Sequence, residues 1–212
     1  MLVRLQLKKW IVGAGAALAL AASASAYSAP KTVLVVGDSL SAEYGLARGS
    51  GWVALLGQRL KADRIPADVV NASISGDTTA GGRSRLPSLL AQHHPNVVVL
   101  ELGANDGLRG LPVKAAEDNL HAMIAMAEKA HAKVLLVGMR MPPNYGRAYI
   151  ERFAGMYTDL AKQDKVPLVP FMLDGVAQVP ANFQADRLHP VASVHPTILN
   201  NIWPQLAPLI KQ

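Results

Sequence analysis

Five short apolar runs, each separated from the next by a segment of helical spacing, constrain this chain more than any other feature. The runs are Thr32–Val36 (TVLVV), Ala67–Asn71, Asn96–Leu102 (NVVVLEL), Lys133–Met139 and Val166–Phe171. Most of them are nearly continuous in Val, Leu and Ile rather than alternating apolar with polar. Such runs form strands buried on both faces, which is the property of a parallel sheet. Between them, Gly51–Ala62, Arg83–His93, Pro112–His131 and Ala148–Asp164 repeat apolar residues at helical intervals. Pro87 is expected in the first turn of its helix, where a missing N–H costs nothing. The closing segment, Val194–Ile210, reads as helical in part, interrupted by Pro204 and Pro208. Strand and helix alternate throughout, so the predicted class is α/β, a three-layer sandwich with a central five-stranded parallel sheet.

Composition narrows the function classes. Of 21 basic residues, Arg4, Lys8 and Lys9 fall in residues 1–26, which hold no acid. The formal charge of +6 therefore leaves only about +3 on the rest, without a basic stripe. That argues against a nucleic-acid partner. The chain has no cysteine, which excludes a thiol nucleophile, a disulfide framework and a lipid-acylated anchor. Arg4, Lys8 and Lys9 precede the apolar stretch Trp10–Ala22 and the small-x-small site Ala24-Ser25-Ala26. This is the pattern of a cleaved signal peptide over 1–26, followed by one domain over 27–212. The stretch falls short of the ~20 apolar residues of a membrane span. The expected destination is the periplasm of a Gram-negative bacterium or the medium, with no stable membrane anchor after cleavage.

In a parallel sheet of this kind, ligands sit beyond the carboxyl ends of the strands. Three loops there carry chemistry-bearing residues. The first strand runs into Gly37-Asp38-Ser39-Leu40-Ser41, where a serine hydroxyl faces solvent and its N–H can meet an incoming oxygen. After the second strand, Gly76 offers an unobstructed backbone N–H. After the third, Asn105 in Gly103-Ala104-Asn105-Asp106-Gly107 offers an amide donor. Near the end, Asp186-Arg187-Leu188-His189-Pro190 sets an acid three residues before a histidine. The carboxylate can hold one ring nitrogen and leave the other free to accept a proton. Taken singly, each fragment is also an ordinary polar turn. Together they supply a nucleophile, a base with its orienting acid, and donors for an oxyanion.

The remaining histidines compete poorly. His93 and His94 end a helix as dipole partners. His121 and His131 are expected in solvent, and His195 has no acid three residues upstream. No histidine pair has the spacing of a zinc protease, and neither G-x-G-x-x-G nor a phosphate loop occurs, so no metal and no cofactor is expected.

Four ordered blocks connect these fragments: GDSLS at 37–41, NASISGDT at 71–78, GANDGLRG at 103–110 and DRLHP at 186–190. In these blocks the sequence resembles the SGNH (GDSL) hydrolases. It is most similar to the group of periplasmic acyl-CoA thioesterases I, arylesterases and lysophospholipases of proteobacteria. RLPSLLAQHHP at 85–95 and PPNYGRAYIERF at 142–153 extend the likeness over nearly the whole chain after residue 26. The resemblance implies a flavodoxin-like SGNH fold and a serine esterase acting on aryl esters, acyl thioesters or lysophospholipids. It implies Ser39 as nucleophile, His189 as base and Asp186 as its orienting acid. The oxyanion hole would be the N–H groups of Ser39 and Gly76 and the amide of Asn105. Two departures stand out, Ala104 and Arg187, each where many relatives have glycine. Arg187 bears on the turn that sets the Asp186–His189 geometry.

The acyl groove is expected from Leu108, Leu111, Met141, Pro142 and Tyr145, along the sheet edge. A carbohydrate O-acetyl esterase uses the same machinery on a small acyl group. A non-catalytic lipid-binding protein would have no need of all five site residues, and the missing phosphate loop disfavours a nucleotide-binding module. The physiological substrate, acyl length and oligomeric state are not written in the sequence.

Overall fold

All five apolar runs become strands of one sheet in the computed structural model, which describes residues 29–211. The leader expected at 1–26 and the domain start at 27 lie outside these residues. The elements run β1 (Lys31–Gly37), α1 (Trp52–Ala62), β2 (Ala67–Asn71), α2 (Thr79–His93), β3 (Val97–Glu101), α3 (Ala104–Leu108), α4 (Val113–Lys129), β4 (Lys133–Val137), α5 (Arg147–Gln163), β5 (Leu168–Val169) and α6 (His195–Lys211). Every pairing is parallel, in the order β2-β1-β3-β4-β5. Right-handed crossovers then place helices on both faces. Helices α1 and α6 pack against each other, while α2 packs on α4 and α4 on α5.

The central strands carry the core. Val33–Val36 and Val97–Leu100 are all fully buried. Each such side chain contributes about 1.5–3 kcal/mol over leaving it in water. Trp52, Phe153 and Tyr157 fill the largest spaces among them. Strand β2, at one edge, is only partly buried. At the other edge β5 is limited to two residues, shorter than Val166–Phe171. Pro167 and Pro170 bracket it and donate no N–H, which stops the ladder on both sides. Among the described residues no helix is long and apolar enough to cross a membrane.

Two helices differ from the sequence expectation, and tertiary contacts explain both. Helix α2 begins at Thr79, not Arg83, which leaves Pro87 inside it rather than in its first turn. Its opening turn is satisfied by side chains. The Thr78 hydroxyl accepts from Gly81 N–H at 3.3 Å, and the Asp106 carboxylate accepts from Thr79 N–H at 2.9 Å. Gly82, just before the expected helix start, packs so tightly on Leu102 that a Cβ would lie 2.2 Å from its Cδ1. Helix α6 runs unbroken through Pro204 and Pro208. Its buried face of Ile198, Leu199, Ile202, Leu206 and Ile210 outweighs the lost hydrogen bonds.

The sheet order reverses direction between β1 and β3, because the chain leaves β1 toward β2 and returns to its other side. The loops after β1, β2 and β3 are therefore gathered at one crevice.

Candidate active site

Ser39 sits in a tight turn at the end of β1. The Asp38 carbonyl accepts from Ser41 N–H at 3.2 Å and Ala42 N–H at 2.9 Å. Gly37 must be glycine here, since a Cβ would lie 2.7 Å from Glu101 Oε2 and 2.8 Å from Ser41 Oγ. Across the crevice, the 186–190 loop brings its histidine back over 150 residues of chain. His189 Nε2 lies 2.9 Å from Ser39 Oγ, and Asp186 Oδ2 lies 2.7 Å from His189 Nδ1. The other Asp186 oxygen accepts from Leu188 N–H at 2.9 Å and His189 N–H at 3.0 Å. Those backbone bonds, and then the imidazole, lower the Asp186 pKa to about 2. Arg187 takes the left-handed conformation, φ 59°. It thus occupies the conformation that glycine adopts freely, and the turn keeps its shape at a cost of about 1–2 kcal/mol.

The Gly76 loop is fastened at several points. Ile74 N–H donates to the Gly37 carbonyl at 3.0 Å, and Asn71 Nδ2 to the Ser41 carbonyl at 2.8 Å. From α2, Arg85 reaches Asp77 at 2.8 Å, the Ala72 carbonyl and the Gly37 carbonyl. Gly76 has φ +79°, and its carbonyl accepts from Arg109 Nη2 at 2.8 Å. Among the described residues, the N–H groups of Ser39 and Gly76 donate to no acceptor, so both remain available to an oxygen in the crevice. Asn105 lies on the one-turn helix α3 rather than in an open loop. Its Nδ2 donates to Asp38 Oδ2 at 3.1 Å and to the Asp77 carbonyl at 2.9 Å. A developing oxyanion must share one of these hydrogens. Ala104, the second departure from the glycine of relatives, opens α3 as a buried core residue.

Ser39, Gly76, Asn105, Asp186 and His189 thus converge on one crevice. The sequence model of the GDSL-like lipase/acylhydrolase family matches residues 35–197, a span that holds all five. The chain belongs to this family. Esterase TesA of Pseudomonas aeruginosa is 52% identical to it over 183 residues, 86% of this chain and 91% of that protein. The thioesterase 1/protease 1/lysophospholipase L1 of Escherichia coli is 43% identical over 183 residues, 86% of each. The crystal structure of the psychrotrophic esterase EstA from Pseudoalteromonas sp., inhibited by monoethylphosphonate, superposes with a TM-score of 0.81. It has 37% identity and covers 86% of this chain and 100% of that one. This GDSL-like hydrolase is an ester hydrolase with a five-stranded α/β fold.

The residues expected to line an acyl groove fall in different settings. Tyr145 Oη donates to the Leu108 carbonyl at 3.0 Å, joining two of them. Leu111 is exposed and Pro142 half-buried. Met141 is buried, with its Sδ against Gly107, so it backs this region from within the core. A cavity of about 700 Å³ lies elsewhere, between α1 and β2. It is lined by no serine, threonine or histidine and is separate from this chemistry.

Two further histidines make side-chain contacts across the fold. His121 is exposed, as expected, and its Nδ1 pairs with Asp164, the residue that follows α5, at 2.9 Å. His195 is buried and accepts from Trp52 N–H at 3.0 Å, which makes it a link between α6 and α1. Burial lowers its pKa.

Sequence reasoning passed over the groups beneath Ser39. Glu101, at the end of β3, is fully buried. Its Oε2 accepts from Ser41 Oγ at 2.6 Å and Asp38 N–H at 3.4 Å, and Trp52 Nε1 donates to the same Ser41 oxygen at 3.1 Å. Its Oε1 has no partner among the described residues. An ionised carboxylate there would be very costly. Burial, and then the neighbouring Asp38 charge, push its pKa well above the usual carboxylate range. Burial also raises Asp38 to about 6. The available signal was a lone acid inside the apolar run NVVVLEL.

Proposed function

We propose that this hydrolase cleaves esters and thioesters through an acyl-enzyme on Ser39. The reading is carried by the unbroken Asp186–His189–Ser39 relay, with contacts of 2.7 and 2.9 Å. His189 Nε2 takes the Ser39 proton as Oγ attacks the acyl carbonyl. Asp186 holds Nδ1, fixing the tautomer and offsetting the positive charge on the ring. The N–H groups of Ser39 and Gly76, with the Asn105 amide, receive the oxyanion. His189 then protonates the leaving alcohol or thiolate, and water repeats the cycle on the acyl-enzyme. No cofactor enters this scheme, because the chain supplies every group.

Aryl esters, acyl thioesters and lysophospholipids are the substrate classes this reading assigns, and the names of the relatives above include esterase, thioesterase and lysophospholipase. The acyl chain would follow Leu108, Leu111, Pro142 and Tyr145, with Met141 behind them. Residues 1–26 are read as an export signal that delivers the enzyme to the periplasm. There, lysophospholipids or exogenous esters are more accessible than cytosolic acyl-CoA.

Hydrolysis of p-nitrophenyl esters from acetyl to palmitoyl tests the proposal. Ser39→Ala should lower kcat by at least ~10⁴-fold on every chain length. An optimum at medium or long acyl supports the lipid-directed substrates. An optimum at acetyl, falling steeply thereafter, would move the assignment to a small-acyl esterase. Undiminished activity in Ser39→Ala would overturn the mechanism.

A further inference from the structure

We infer that Tyr44 is a positioning residue for the base, holding the His189 imidazole in the one plane that reaches both Ser39 and Asp186. The inference rests on the Ser39–His189 reading above.

His189 is fixed in the plane of its ring by two hydrogen bonds, but hydrogen bonds do not hold a ring against tilting across its faces. The loop that carries it offers little packing: Leu188 is 46% exposed and Arg187 and Asp186 are exposed as well. One aromatic ring meets the imidazole among the described residues. The Tyr44 and His189 centroids lie 4.3 Å apart, with the ring planes 36° from parallel. Tyr44 is itself 50% exposed, so the contact is not a by-product of core packing.

The backbone of Tyr44 joins the nucleophile to the base. Its N–H donates to the carbonyl of Ser39 at 3.4 Å. Its carbonyl accepts from Gln184 Nε2 at 2.9 Å. Gln184 Nε2 also donates to the Pro190 carbonyl at 3.1 Å, and Gln184 N–H to the His189 carbonyl at 2.8 Å. The loop that carries Tyr44 is shaped from inside by Glu43, whose carboxylate accepts from Gly49 N–H at 3.1 Å and Gly51 N–H at 2.7 Å. A ring that meets the imidazole therefore stands on the segment that leaves Ser39, at a distance set by hydrogen bonds to both partners.

The chemistry rewards this placement. A ring that acts as base must start neutral, and it becomes cationic when it accepts the Ser39 proton. An aromatic face attracts a cation more than a neutral ring, so the contact strengthens as the transition state forms. The effect belongs to kcat rather than to substrate binding.

The test uses Tyr44→Leu and Tyr44→Phe, assayed on p-nitrophenyl butyrate. Leucine keeps bulk and loses the π-face, while phenylalanine keeps the face and loses only the hydroxyl. Tyr44→Leu should lower kcat roughly 5- to 30-fold with KM within about threefold. Tyr44→Phe should restore kcat to within about threefold of wild type. Repeating Tyr44→Leu on the residual activity of His189→Ala separates action through the base from action on substrate. With the base gone, the leucine substitution should have no further effect on kcat. A rise in KM alone, a Phe variant as slow as Leu, or an equal loss in the His189→Ala background would each overturn the inference. Should Ser39→Ala keep full activity, the proposed function fails first. Should Ser39→Ala be inactive and Tyr44→Leu behave as wild type, only the role of Tyr44 falls.

Discussion

The turn of Ser39, the proposed nucleophile, and the loop of His189, the proposed base, meet at one hydrogen bond, yet they are built by opposite means. Beneath Ser39, the turn stands on a dry network of Asp38, Ser41, Trp52 and Glu101, all buried. The loop of His189 stands in solvent and is held by its own Asx-type turn. A carboxylate in each region records the difference. Asp38 is raised to about 6 by burial, and Asp186 is lowered to about 2 by two backbone N–H groups and the imidazole. Rigidity on one side comes from exclusion of water, and on the other from local hydrogen bonds that water does not displace. Ser39 is thus fixed by the sheet, and His189 stands on three residues of turn with one aromatic neighbour.

If that contrast is right, substitutions in the base loop should cost catalysis and little stability. Asp186→Asn removes the acceptor for His189 Nδ1 and favours the wrong tautomer. It should lower kcat about 10³–10⁴-fold. The melting temperature should shift by no more than a few degrees, because the carboxylate is largely exposed. Kinetics and calorimetry on the same sample check both halves. A large loss of Tm would show that the loop is part of the core's cooperative unit and would break the comparison. The sign of the pH response follows. With a folded pKa of about 2 against 3.8 unfolded, the contribution of Asp186 is full above about pH 4 and is lost as pH falls toward 2.

Asn105 lies on the boundary, with its amide tied to Asp38 of the dry network and exposed to the crevice. Asn105→Ala should lower kcat about 10²–10³-fold with a small change in KM, the pattern of a donor used in the transition state. Unchanged turnover would mean that both amide hydrogens stay with Asp38 and the Asp77 carbonyl, and that the hole consists of backbone donors alone.

The same contrast governs what could be read from the sequence. The juxtaposition of Ser39, His189 and Asp186 was legible because each lies in a short block, and Asp186 and His189 are three residues apart. All five strands were legible from their apolar runs. Tyr44, Gln184 and the linking role of His195 were not, since their partners lie about 140 residues away. Nothing in a local window marks such a pair. The start of α2 and the unbroken course of α6 failed for a related reason. Gly81, Gly82, Pro204 and Pro208 argue against a helix locally, and the contacts that overrule them come from Asp106, Leu102 and the buried face of α6. Glu101 lay within reach, because an acid in a fully buried strand demands an explanation.

The dry network carries the smallest and most particular expectation. Asp38 binds its proton more tightly when folded, about 6 against 3.8, so folding takes up a proton between these values. Its contribution to stability is therefore greatest below about pH 4 and declines as pH rises through about 6. Over that interval the loss is at most about 3 kcal/mol, and Glu101, shifted in the same direction, adds to it at higher pH. Asp186 has no part in this window, because its titration is complete below pH 4. His195 works the other way, since a histidine with a lowered folded pKa favours folding as pH rises. Comparing each variant with wild type cancels that background. Urea midpoints from pH 4.5 to 8 should therefore fall more steeply for the wild type than for Asp38→Asn. Parallel curves would mean that Asp38 stays ionised throughout, with the Leu40 N–H and the Asn105 amide outweighing its burial. The turn of Ser39 would then be an ionic structure like the loop of His189, and the contrast between the two regions would be one of exposure alone.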